Sequence, residues 1–92
     1  MIVRIAGEGQ YRLDEAHLAR LNELDNRLTQ VVARGDADAF RGLFAQFITF
    51  VRGNGERLPD DELVPSDVYL PPPDTTAEEA ADLFKGEGLV PG

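Results

Sequence analysis

The sequence predicts an α+β domain: an N-terminal β-hairpin packed on an antiparallel helical hairpin, followed by an acidic, proline-rich segment that ends in a short helix. Three observations carry this. Apolar and polar residues alternate with period two over residues 2–13. Two stretches of helical periodicity follow, separated by Gly35-Asp36. All six prolines then lie beyond residue 58, where the missing N–H and fixed φ favour turns and extended chain.

In Ile2-Val3-Arg4-Ile5, Val3 and Ile5 share a face and Arg4 takes the other. Gly7-Glu8-Gly9 supplies a turn, and Gln10-Tyr11-Arg12-Leu13 returns with Tyr11 and Leu13 together. Asp14 is a suitable N-cap for a first helix, and Glu15 suits its first turn. That helix carries an apolar stripe of Leu18, Leu21, Leu24, Leu28, Val31 and Val32, with Arg20, Glu23, Arg27 and Arg34 opposite and Asp25 at the stripe's edge. Gly35 stops it, and Asp36 or Asp38 caps a second helix bearing Phe40, Leu43, Phe44, Phe47, Ile48, Phe50 and Val51. These residues span about 160° of the helix surface. That is more than one neighbouring helix needs, so the stripe faces both the first helix and the sheet, or leaves an edge near Phe50 for docking.

Gly53-Asn54-Gly55 ends the helical hairpin. The single domain, 1–92, therefore divides into residues 1–55 and a wrapping segment, 56–92. Within the latter, Val68-Tyr69-Leu70 can add a third strand, making a three-stranded antiparallel sheet. Thr75 with Glu78 and Thr76 with Glu79 offer overlapping capping boxes for a short helix that buries Ala80, Leu83 and Phe84 before Gly86.

The charge is segregated. Residues 1–55 hold seven acids and seven arginines, whereas residues 56–92 hold ten acids against Arg57 and Lys85, so the net charge of −8 belongs to the second part. Phosphate backbones and anionic headgroups repel such a surface. With no cysteine, disulfides, thiol catalysis and cysteine-ligated zinc are excluded. The N-terminus lacks signal-peptide features and no apolar run approaches a membrane span. A cytoplasmic protein is expected, reaching a membrane only through a partner.

No motif carries chemistry. His17, the one histidine, has no orienting partner near it in sequence. It is expected to be an exposed residue in the first helical turn. Asp60-Asp61-Glu62 lacks the spaced ligands of a calcium loop and reads as a turn after Pro59. Gly7-Glu8-Gly9 lacks the third glycine of a phosphate loop, since position 12 is Arg12. No nucleophile elbow surrounds Ser66-Asp67. The expected function is therefore non-enzymatic protein interaction, without catalytic residues, cofactor or metal. Its candidate surfaces are the edge of the second helix at Phe50 and the acidic turn Asp60, Asp61 and Glu62. The phenylalanine stripe could also bury its excess in a homodimer. The alternative, a DNA-associated stress regulator on the helical hairpin, wants a basic recognition helix, and here that helix has only Arg41 and Arg52.

The opening Met1-Ile2-Val3-Arg4-Ile5-Ala6-Gly7-Glu8-Gly9-Gln10-Tyr11-Arg12-Leu13-Asp14 resembles the start of the PspAA family, the phage-shock-protein-A-associated proteins. Leu58-Pro59-Asp60-Asp61-Glu62-Leu63-Val64-Pro65-Ser66-Asp67 and Gly86-Glu87-Gly88-Leu89-Val90-Pro91-Gly92 resemble its later segments in the same order. The resemblance implies an accessory or regulator of phage shock protein A, a coiled-coil, membrane-remodelling protein of the envelope stress response. It implies no catalytic residues.

Overall fold

The computed structural model describes residues 1–62 and 64–81. β1 (Ile2–Ile5) and β2 (Gly9–Arg12) form the expected antiparallel hairpin, with Val3 opposite Tyr11 and Arg4 opposite Gln10. Gly7 sits at φ 77°, a left-handed turn that glycine adopts without steric cost. The ends of the hairpin are closed by a mutual pair: Leu13 N–H donates to Met1 O at 2.8 Å, and the Met1 ammonium donates to Leu13 O at 3.0 Å.

Asp14 does not cap a helix with its side chain. Its carbonyl accepts from His17 N–H, closing a 3₁₀ turn over Glu15–His17, and α1 (Leu18–Ala33) starts after it. His17 thus precedes α1 and is half-buried, where an exposed first-turn residue was expected. At the other end Gly35 N–H donates to Val32 O and Asp36 N–H to Val31 O, with Gly35 at φ 70°. This double closure is a Schellman stop. Asp36 then accepts from Ala39 N–H at 3.1 Å and caps α2 (Ala37–Asn54) as expected.

The sheet differs from the expected three antiparallel strands. Among the described residues it has four, in the order β3-β2-β1-β4. β3 (Glu56–Arg57) extends the hairpin beyond β2, and β4 (Val68–Leu70) pairs with β1 in parallel. The chain must cross from one edge of the sheet to the other between them, and a strand reached by a crossover enters parallel. Alternation puts Gln10 and Arg4 on the face away from the core residues Tyr11 and Val3. The crossover lies on that outer face: Gln10 Nε2 donates to Val64 O and Ser66 Oγ, both at 2.9 Å, and Leu58 N–H donates to Gln10 O at 2.9 Å. This explains a glutamine only 8% exposed on a strand. Asp67 finishes the crossover by accepting from Ile2 N–H through Oδ2 and donating its own N–H to Ile2 O, each at 2.8 Å.

The inner face joins Val3, Ile5, Tyr11, Val68 and Leu70 to Leu21, Leu24, Leu28 and Val31 of α1 and to Phe40, Phe44, Phe47, Ile48 and Val51 of α2. The wide phenylalanine stripe therefore packs on both the sheet and α1. Asp25, expected at the stripe's edge, is buried at 1% exposure. Of the two overlapping capping boxes the fold uses Thr76 with Glu79, starting α3 (Ala77–Ala80), in which Ala80 is buried. Leu83, Phe84 and Gly86 lie outside the described residues. No helix of the described chain is long and apolar enough to cross a membrane.

Candidate partner-docking groove

Two antiparallel helices leave a groove along their shared solvent side. Here it is shallow, about 380 Å³, and lined by Arg20 and Leu24 of α1 and Ala45, Gln46, Thr49 and Phe50 of α2. Its depth comes from side-chain size: Ala45 and Thr49 keep the α2 wall low, while Phe50 closes one end. Phe50 is half-buried, its ring meeting His17 edge-on at 5.7 Å and 80°. This geometry is favourable for an aromatic pair and holds Phe50 in place without covering it. Docking was expected at Phe50, and the structure puts that ring beside this groove.

The acidic turn is elsewhere. Glu62 N–H donates to Pro59 O, which closes the turn. Asp60 lies 3.5 Å from Arg57, and Glu62 lies 3.7 Å from Arg12. Two of the three carboxylates thus lie near arginines of β2 and β3, while Asp60 and Asp61 both remain exposed. Exposed pairs like these contribute about 0–1 kcal/mol each. Pulled toward different arginines, the carboxylates do not converge on a common cation. None of the three lines the groove, so Phe50 and the acidic turn do not form one site.

A clamp that sequence reasoning missed fixes the Phe50 end of α2. The Glu8 carboxylate accepts from Arg52 Nε at 2.9 Å and from Arg52 Nη2, and Tyr11 Oη donates to it at 2.7 Å. Arg57 Nη2 donates to the Glu8 carbonyl at 2.8 Å. The hairpin turn is thereby tied to α2 two residues after Phe50. No sequence signal links Glu8 to Arg52, which is 44 positions away. Hydrogen bonds from Arg52 and then Tyr11 hold the Glu8 carboxyl down at about 2, against an ordinary 4.5. Bonding to Glu8 in turn raises the Tyr11 phenol.

A group with a depressed folded pKa adds stability that is fully present above about pH 4.5 and lost as pH falls toward 2. The Glu8 side chain is 18% exposed and Arg52 47%, so solvent screens part of the interaction. Glu8→Gln is expected to cost about 1–2 kcal/mol at neutral pH. Denaturant titrations of both proteins across this range check it: the gap should close as pH falls, because protonated Glu8 resembles glutamine. A gap that stays constant with pH would show that the ion pair contributes nothing.

A larger cavity of about 540 Å³ lies on the other flank of α2, between Arg41, Phe44 and Ala45 and the chain from Pro73 to Glu78. It adjoins α3, the last described element. Ala45 borders both depressions.

No curated protein and no solved structure matches the chain. The family model described as PspAA, PspA-associated protein, matches residues 1–92. That match covers the entire sequence, including the hairpin, both groove helices and the crossover, and the chain belongs to the PspAA family of PspA-associated proteins.

Proposed function

We propose that this domain is a non-enzymatic accessory or regulator of a phage-shock-A-type coiled-coil protein in the envelope stress response, and that it docks on that partner through the groove between α1 and α2. Family membership supports the association with PspA. The observation that carries the docking site is Phe50, an aromatic half-buried at the end of a groove between two helices. A groove of this kind accepts an apolar helix face. Contact with a membrane is then made through the partner, from the cytoplasmic side.

The DNA-associated alternative is weaker on the same geometry. Arg41 and Arg52, the bases of α2, are engaged by Asp38 and Glu8. The helix's apolar face is spent on the core, so α2 offers no free basic surface to a major groove.

The test is co-purification from the native cell with the tagged parent and with Phe50→Glu. The parent should recover a phage-shock-A-type coiled coil. Phe50→Glu should lose it, because a carboxylate would have to be desolvated within the contact, while its half-buried position lets the domain stay folded by circular dichroism. Equal recovery by both proteins would remove the groove from the account. Recovery of no such coiled coil by the parent, with other proteins captured cleanly, would remove the function.

A further inference from the structure

The buried apolar residues of α1, Leu21, Leu24, Leu28 and Val31, follow the alternating three-four spacing of a heptad seam. In that frame Arg20, Arg27 and Arg34 occupy one recurring position, each seven residues from the next. Positions seven apart drift by only about 20° around a helix, so the three arginines form one row, about 21 Å long at 1.5 Å per residue. Arg20 lines the groove, and Arg27 and Arg34 continue its stripe along α1 beyond the groove.

Its charge is only partly paired among the described residues. A single Glu23 oxygen serves both Arg20, at 3.1 Å, and Arg27, at 2.8 Å. Arg34, the C-cap residue of α1, has no ion pair among the described residues. Among the described residues, one Glu23 oxygen is the ion-pair partner of two of these three guanidinium groups, on a protein whose net charge is −8. The opposite bank, Ala45, Gln46 and Thr49, is uncharged, and Leu24 and Phe50 supply the apolar lining. Charges flanking an apolar seam between helices govern partner choice and orientation more than they add affinity.

We infer that the groove selects a partner helix with an apolar seam and a row of acidic residues at seven-residue spacing on the flank that faces α1. The inference rests on the docking reading above and specifies the partner's chemistry: the seam packs on Leu24 and Phe50, and the acids lie along Arg20, Arg27 and Arg34. A single acidic cluster on a loop would meet at most one of the three, so the row reads the length of a helix. It also fixes direction, because reversing the partner helix moves its acids to the uncharged bank.

The experiment titrates the parent with the purified phage-shock-A-type protein of the same cell, beside Arg20→Gln/Arg27→Gln/Arg34→Gln and Phe50→Glu, over a series of salt concentrations. The glutamine triple keeps polarity and helix propensity while removing the charge, so its melting temperature should stay near the parent's. Its affinity should fall about tenfold or more at low salt, and its salt dependence should flatten. Replacing the three arginines with glutamate should weaken binding further. Parent-like affinity and salt dependence in the glutamine triple, with binding lost in Phe50→Glu, would overturn the acidic-helix inference and leave the groove standing. Absence of parent binding would overturn both. A gel shift of duplex DNA by the parent that the triple abolishes would assign the row to phosphate and likewise overturn the inference.

Discussion

Phe47→Ala is expected to cost the fold about 3–5 kcal/mol. Phe47 is fully buried and belongs to the cluster that α2 shares with α1 and the sheet. Truncation removes its transfer free energy and leaves a cavity between rigid neighbours. Small domains are stable by only about 5–15 kcal/mol, so this one side chain supports a large fraction of the whole. Urea unfolding checks it: the midpoint should fall steeply at unchanged slope. A loss below about 1 kcal/mol would mean that α2 does not pack as described. Phe40 is equally buried, and truncating it should cost a similar amount.

Gly55→Ala is expected to destabilise by about 1–3 kcal/mol, through crowding. Gly55 has φ −89° and ψ 152°, which any residue can adopt, so conformational freedom is not its purpose. Space is: an added Cβ would lie 2.6 Å from the Val51 carbonyl oxygen and 2.9 Å from Tyr11 Cβ. Both atoms belong to firmly held parts of the structure, the last turn of α2 and the centre of β2. The change would push α2 away from the hairpin at the place where Glu8 and Arg52 join them. Gly42→Ala supplies the control with the opposite sign. Nothing lies within 4 Å of a Cβ there, and alanine in a helix interior gains about 0.5–1 kcal/mol over glycine. Equal effects at the two positions, measured by thermal unfolding, would contradict the close approach of α2 to β2.

What was legible in the sequence was local. The hairpin, both helices and the stop at Gly35 are written in spacing and in residues with specific backbone roles. Leu21, Leu24 and Leu28 announce a buried face whatever they face. The remainder depends on contacts distant in sequence. Glu56-Arg57 shows no alternation, so a two-residue strand whose residues are both exposed left no pattern to read. The direction of β4 is set by where the crossover begins and ends, and three residues of strand propensity say nothing of that. Gln10 looks like a solvent-facing polar residue until Val64 and Ser66 arrive from more than 50 positions away.

The same division runs through the candidate site. Phe50 was legible because it sits at the rim of an overfull apolar stripe, and the structure places it at the end of a groove. The acidic turn stood out by composition. Composition does not show that Arg12 and Arg57 come within reach of Glu62 and Asp60. Glu8 was read as a turn residue because its partner lies at the far end of α2. The arginine row of α1 gains its meaning only once the groove beside it is known.

Amide hydrogen exchange of the domain, free and bound to the coiled-coil partner, tests the central claim most directly. Slowed exchange over α1 from His17 to Arg34 and over α2 from Gly42 to Gly53, with the outer sheet face around Arg4 and Tyr69 unchanged, is the predicted result. Protection confined to that outer face, or to the Asp60–Glu62 turn, with the groove helices exchanging as in the free protein, would contradict it.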